Sequence, residues 1–219
     1  TGGEPFYRPD ILQLIGEVIK KRQRELIIIS NGSLFPKEVV RALSKMPLEL
    51  LKLQISLDGA TAKTNDLIRG RGSFEKAVAG LKTLATLPVE KIITCVVHPK
   101  NLDEIPSMPT LAKELGVPGI HLMWPHRRGR YQKLPHGTRY PVVKIKRVVE
   151  QTLTQCRQLG IALDNYESIK WRINGKPGVK FDLSGAGWKS LCIYSDGQVY
   201  PSAAFANHRP LACGSIIKE

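Results

Sequence analysis

The chain has 219 residues, enough for one domain of ordinary size with a small appendage. Its hydrophobic fraction of 42% and charged fraction of 24% are those of a soluble globular protein. No run nears the ~20 apolar residues of a membrane span, and Thr1-Gly2-Gly3-Glu4-Pro5 is no signal peptide. A formal net charge of +14 favours acidic partners, but Lys20-Lys21-Arg22, Arg127-Arg128-Gly129-Arg130 and Lys144-Ile145-Lys146-Arg147 lie far apart. No nucleic-acid signature accompanies them.

In chain order, Ile11, Leu14, Ile15, Val18 and Ile19 repeat at helical spacing, and Leu26-Ile27-Ile28-Ile29 reads as a continuous apolar strand. Pro36 opens a helix through Val39, Val40 and Leu43, followed by the alternating strand Leu51 to Leu57. Phe74, Ala77, Val78, Leu81 and Leu84 form an amphipathic helix, and Ile92 to Val97 another strand. A helix around Leu111 to Leu115 leads into the strand Gly119 to Met123. The last long helix carries Val142, Ile145, Val149, Leu153 and Cys156 and stops at Gly160. Lys170 to Ser190 shows no period, and Cys192 to Tyr200 reads as a hairpin turned at Asp196-Gly197.

Strands separated by helices imply βαβ units and a parallel sheet. In Leu51 to Leu57 the odd positions are apolar and the even ones are Lys52, Gln54 and Ser56. That pattern fits a barrel strand with helices on one face and a polar interior on the other. The expected organisation is a barrel-type α/β domain over 1–165 and a small β appendage over 166–219. The four cysteines form no Cys-x-x-Cys pair; Cys95 and Cys156 fall on apolar faces and read as core thiols in a reducing, cytoplasmic setting.

Ligands of parallel α/β domains bind at the carboxyl ends of the strands. There lie Gly2-Gly3-Glu4-Pro5, Ser30-Asn31-Gly32, Ser56-Leu57-Asp58-Gly59, His98 and Trp124 to Arg130. Glycines admit close approach, Glu4 and Asp58 suit an ammonium or ribose, and Ser30, Asn31 and Ser56 suit a carboxylate or hydroxyls. Each motif alone also suits a strand-ending turn. The basic His126, Arg127, Arg128 and Arg130 suit an acidic peptide segment or a phosphate. His98 and His121 receive no catalytic role.

Together these residues resemble the radical SAM superfamily. Gly2-Gly3-Glu4-Pro5 is similar to its GGEP loop, Ser30-Asn31-Gly32 to its TNG strand end, and Ser56-Leu57-Asp58-Gly59 with Arg69-Gly70 and Gly72-Ser73-Phe74 to the run typical of members with a SPASM or twitch extension. The resemblance implies a partial (β/α)6-type barrel lacking its first β/α unit, followed by the start of that extension. By resemblance, Gly2, Gly3 and Glu4 meet the amino group of S-adenosylmethionine, Ser30 and Asn31 line its site, Ser56 and Arg69 hold its carboxylate, and Asp58 lies near the ribose.

The family's Cys-x-x-x-Cys-x-x-Cys loop for a [4Fe-4S] cluster precedes GGEP and is not among these residues, so the chain reads as part of something longer. Ser184 and Ser202 stand where auxiliary-cluster cysteines are expected, leaving Cys192 and Cys213 as candidate ligands of an auxiliary iron-sulfur cluster. The implied activity is generation of a 5′-deoxyadenosyl radical that modifies a peptide or protein. A flavodoxin or ferredoxin would supply electrons; neither membrane nor nucleic acid is expected. Two alternatives stay open: a basic nucleotide- or nucleic-acid-binding α/β module without redox chemistry, and an ordinary (β/α) barrel enzyme.

Overall fold

A computed structural model describes residues 3–124, 142–174, 185–206 and 208–217. Of the candidate residues, Gly2, His126, Arg127, Arg128, Arg130 and Ser184 lie outside the described residues. The chain divides into two compact units, one spanning Glu4–Tyr166 and one taking in Glu167–Glu219.

The first unit is an α/β domain. Its strands β1 (Leu26–Ser30), β2 (Leu51–Ser56), β3 (Glu90–Val96), β4 (Gly119–Met123) and β5 (Ala162–Leu163) pair in sequence order. Every pairing is parallel, and among the described residues the sheet is open. The connecting helices are α1 (Ile11–Gly16), α2 (Lys37–Leu43), α3 (Ala62–Arg69), α4 (Ser73–Leu84), α5 (Met108–Glu114) and α6 (Val142–Leu159). α1 continues into a π-helical turn over Glu17–Lys21.

Side chains alternate across each strand. Ile28, Leu53, Ile55, Ile93, Cys95, Ile120 and Leu122 are buried on one set of positions, together with Ala77, Leu81 and Leu84 of α4 and Val148 and Val149 of α6. Truncating one such leucine to alanine costs about 2–5 kcal/mol. The other set carries Lys52, Gln54, Ser56, Thr94 and His121, and the register places Ser56 beside Thr94 and Thr94 beside His121. The Thr94 hydroxyl donates to Gln54 Oε1 at 3.3 Å across this polar face.

Three elements escape the periodicity. α3 buries Asn65 while its Leu67 is 60% exposed, so no apolar stripe marks it. β5 has two residues. Lys91 occupies a core position in β3, where its ammonium donates to the carbonyls of Leu84, Leu87 and Val89 at 3.0–3.3 Å. It thereby closes the carboxyl end of α4. α6 ends as its sequence implies, with Gly160 at φ 67°.

The second unit contains α7 (Tyr166–Asn174) and an antiparallel sheet ordered β6 (Cys192–Ile193), β7 (Gln198–Tyr200), β8 (Gly214–Ser215). The hairpin turns at Gly197, φ 79°, with the Gln198 N–H donating to Asp196 Oδ1 at 3.1 Å. No helix among the described residues is long and apolar enough to cross a membrane.

Candidate functional site

The ends of β1 and β2 are joined by side-chain bridges from neighbouring loops. Glu4 begins the turn Pro5–Tyr7, accepting from the Phe6 N–H at 3.2 Å. The same carboxylate accepts from the Ser30 hydroxyl at 2.8 Å and the Asn31 N–H at 2.6 Å, which ties the Glu4 loop to the end of β1. A carboxylate offers about four acceptor positions, and three are filled here. The Ser30 oxygen accepts in turn from the Gly32 N–H, and Asn31 Oδ1 from the Ser33 N–H. Phe6 packs against Phe35 at a tilt of 60° with centroids 4.6 Å apart, fixing the loop from its apolar side.

Gly32, at φ 78°, is essential to this corner. A Cβ there would meet Ile55 Cγ2 at 2.8 Å, and a Cβ on Gly80 of α4 would come within a bond-like approach of the Gly32 carbonyl oxygen. The helix thus lies directly against the loop that follows β1. Nothing in the sequence marks Gly80, because a lone glycine inside an amphipathic helix gives no signal beyond lowered propensity.

Asp58 is 4% exposed and anchors the end of β2. Its Oδ1 accepts from the Val96 N–H at 2.7 Å and its Oδ2 from Arg69 Nε at 2.7 Å. Its backbone N–H donates to Asn65 Oδ1 and its carbonyl accepts from Asn101 Nδ2, both at 2.8 Å. Asp66 holds the start of α4, accepting from the backbone N–H groups of Phe74 and Gly72 and from the Ser73 hydroxyl. Those backbone bonds, Phe74 first, hold its carboxyl below the usual carboxylate range.

Glu104 performs the same task for α3. It accepts from the N–H groups of Ala60 and Thr61 and from the hydroxyls of Thr61 and Thr64 at 2.6–3.1 Å. Asn101 and Glu104 are framework residues that sequence reasoning misses, because nothing local marks a side chain that reaches some 40 residues back; Asn65, which reaches back only to Asp58, is missed because a buried asparagine leaves no apolar stripe on α3.

These bridges frame a cleft of about 410 Å³ lined by Tyr7, Asn31, Ser33, Ser56, Arg69 and Lys76, among others. The structure therefore brings Asn31, Ser56 and Arg69 to one cleft and sets Glu4, Ser30 and Asp58 into the scaffold that bounds it. Gly3 takes a left-handed φ of 83°. A guanidinium held by one nitrogen and a hydroxyl beside it suit a carboxylate.

The cysteines separate. Cys95 and Cys156 are buried, and burial pushes the Cys156 thiol up to about 11. Cys192 is buried in β6 opposite Tyr200; Cys213 is exposed, its N–H donating to the Val199 carbonyl at 2.8 Å. Both flank β7. Among the described residues no three His, Cys, Asp or Glu side chains converge as metal ligands. The cleft's donor set, in contrast, fits the amino-acid end of S-adenosylmethionine. His98 is held below its usual range chiefly by burial, and its Nδ1 accepts from the Lys100 N–H.

The Radical SAM superfamily model matches residues 1–112, and the chain belongs to that superfamily. Among curated proteins it is 34% identical over 131 residues to the AdoMet-dependent heme synthase of Methanosarcina barkeri (strain Fusaro / DSM 804), covering 59% of this chain and 37% of that protein. It is 29% identical over 222 residues to the antilisterial bacteriocin subtilosin biosynthesis protein AlbA of Bacillus subtilis (strain 168), covering all of this chain and 46% of that one. The chain thus spans less than half of either relative. The fold is similar to Streptococcus suis SuiB bound to S-adenosylmethionine, with a TM-score of 0.78 at 17% identity over 100% of this chain and 51% of that one. SuiB bound to precursor peptide SuiA gives 0.71 at 18% identity, covering 93% and 48%.

Proposed function

We propose that this chain is the S-adenosylmethionine-holding part of a radical SAM enzyme that modifies a peptide. The observation carrying the reading is Arg69, fixed through Nε to the buried Asp58 and lining a cleft with Ser56 at the strand ends. In this arrangement Arg69 and Ser56 hold the carboxylate of the cofactor, and Glu4 with Gly2 and Gly3 meets its amino group. Ser30 and Asn31 keep the Glu4 loop seated, while Asp58 orients Arg69 on the ribose side. When bound together with a [4Fe-4S] cluster, the cofactor would supply 5′-deoxyadenosyl radical chemistry for hydrogen abstraction, and Arg69, Ser56 and Glu4 would hold its amino-acid end. Ligands for that cluster are expected from residues outside these 219.

Support for a peptide substrate comes from AlbA, a bacteriocin biosynthesis protein, and from SuiB bound to its precursor peptide. The basic segment His126, Arg127, Arg128 and Arg130 would meet acidic residues of such a peptide. Residues 166–219 would begin a SPASM- or twitch-like extension, with Cys192 and Cys213 contributing to an auxiliary cluster. A flavodoxin or ferredoxin would deliver the electron in the cytoplasm.

The test is S-adenosylmethionine binding to the anaerobically purified full-length protein by equilibrium dialysis, with 5′-deoxyadenosine release under dithionite. Arg69→Ala removes a charge-assisted bond worth about 1.5–3 kcal/mol and should weaken binding roughly 10- to 150-fold. Wild-type protein that neither binds the cofactor nor releases 5′-deoxyadenosine would sink the reading.

A further inference from the structure

Besides the cleft, the polar face of the sheet carries a second constellation. His121 of β4 places Nδ1 2.7 Å from Asp164 Oδ1, just beyond β5. Asp164 Oδ2 lies 3.7 Å from Lys52 Nζ, which also pairs with Glu90 at 3.0 Å. Asn165 completes the set, with Nδ2 3.4 Å from His121 Nε2.

The bonding fixes the imidazole tautomer. Asn165 Nδ2 donates to the Leu122 carbonyl at 2.8 Å and its Oδ1 accepts from the Leu122 N–H at 3.3 Å. Flipping that amide would set donor against donor and acceptor against acceptor, so its NH2 faces His121. An NH2 can only donate, so Nε2 is the acceptor; an ionised carboxylate can only accept, so Nδ1 carries the hydrogen. The contact to Nε2 is long, and a better donor displaces it readily.

Position argues for use. Ser56, which lines the cofactor cleft, is in register with Thr94, and Thr94 with His121. Two strand spacings separate Ser56 from His121, about 10 Å on the same face. The charged groups facing the imidazole are Asp164, with Lys52 and Glu90 behind it. With a neutral imidazole these groups carry one net negative charge; a proton taken up at Nε2 brings the cluster to neutrality.

We propose that His121 is the proton acceptor for a substrate group bound on this polar face, and that Asp164 is its positioning residue. The inference rests on the radical SAM reading above. In the step, an O–H or S–H bond of the peptide breaks, the proton bonds to Nε2, and the electron pair stays on the oxygen or sulfur. Nδ1–H remains with Asp164, and no electron is exchanged with the imidazole.

The test uses the full-length protein. In protein labelled with [15N]histidine, long-range 1H–15N correlation at pH 8 should show His121 as the Nδ1–H tautomer, and Asp164→Asn should move it toward Nε2–H. A wild-type Nε2–H tautomer overturns the proposal without any substrate. In anaerobic turnover of a hydroxyl- or thiol-bearing peptide that the wild-type protein modifies, His121→Ala should keep its S-adenosylmethionine affinity in dialysis. Its product yield should fall at least about 100-fold, with partial recovery on adding imidazole. Product within about threefold of wild type, or a loss that imidazole leaves unchanged, refutes the role. Failure of the radical SAM reading would look different, since the wild type itself would then bind no cofactor.

Discussion

Gly80→Ala sets two effects of opposite sign against each other. Glycine inside a helix is worse than alanine by about 1 kcal/mol, so propensity alone predicts stabilisation. Packing predicts the reverse. The new Cβ would overlap the Gly32 carbonyl oxygen, and the obstacle is backbone, held by the Gly32 N–H bond to Ser30. Ordinary carbon–oxygen contact is about 3.3 Å, so helix or loop must retreat by more than 1 Å. Overpacking of that kind costs about 1–3 kcal/mol, and this contact belongs at or beyond the upper end because no flexible side chain can yield. The net effect should be a loss near 2 kcal/mol, or about 4–8 °C in Tm for a chain of this size. Gly16, also helical but with nothing within 4 Å of an added Cβ, is the control. Thermal unfolding of both variants by circular dichroism checks the argument: Gly16→Ala should hold or raise Tm while Gly80→Ala lowers it. If Gly80→Ala gains stability like its control, α4 does not lie on the loop that follows β1 as described.

Lys91→Met keeps the apolar stem but deprives three carbonyls near the end of α4 of their donor; urea denaturation should register a loss of about 2–3 kcal/mol. Asp66 titrates below its usual 3.8 in the folded chain, so its contribution is complete above that pH and is lost as pH falls through the folded value. Asp66→Asn should therefore unfold at lower temperature than wild type at pH 7, with the gap narrowing below pH 4 in a Tm series. A constant gap would remove the carboxylate from the account.

The sheet is legible because its code is coarse. Leu26 to Ile29, Leu51 to Leu57, Ile92 to Val97 and Gly119 to Met123 each fill one pleat position after another, and the alternation in β2 marks which face is polar. Periodicity fails where a polar atom replaces apolar burial. α3 docks through Asn65, and Lys91 takes a core position by finding three carbonyls. The sequence gives no reason to assign His121 a role, because an isolated histidine in a strand carries no signal; Asp164 lies 43 residues away, and only the β4–β5 register brings them together.

The motif residues also divide by what their polar atoms already do inside the chain. Backbone groups leaving the end of a parallel strand still need partners, and Glu4, Asp58 and Asn65 supply them, while Asp66 does the same for the start of α4. Ser56 is different: it lines the cleft, and among the described residues its hydroxyl bonds no other side chain. Replacing Asp58 or Asn65 should thus lower Tm and S-adenosylmethionine affinity together, because the frame that carries Arg69 collapses. Ser56→Ala should leave Tm within about 1 °C while weakening binding by up to roughly tenfold, the value of one lost hydrogen bond. Thermal shift plotted against dialysis affinity for Asp58→Asn, Asn65→Ala and Ser56→Ala separates the two classes. Equal Tm losses across all three would show that Ser56 belongs to the frame as well, and that Arg69 alone meets the ligand's carboxylate.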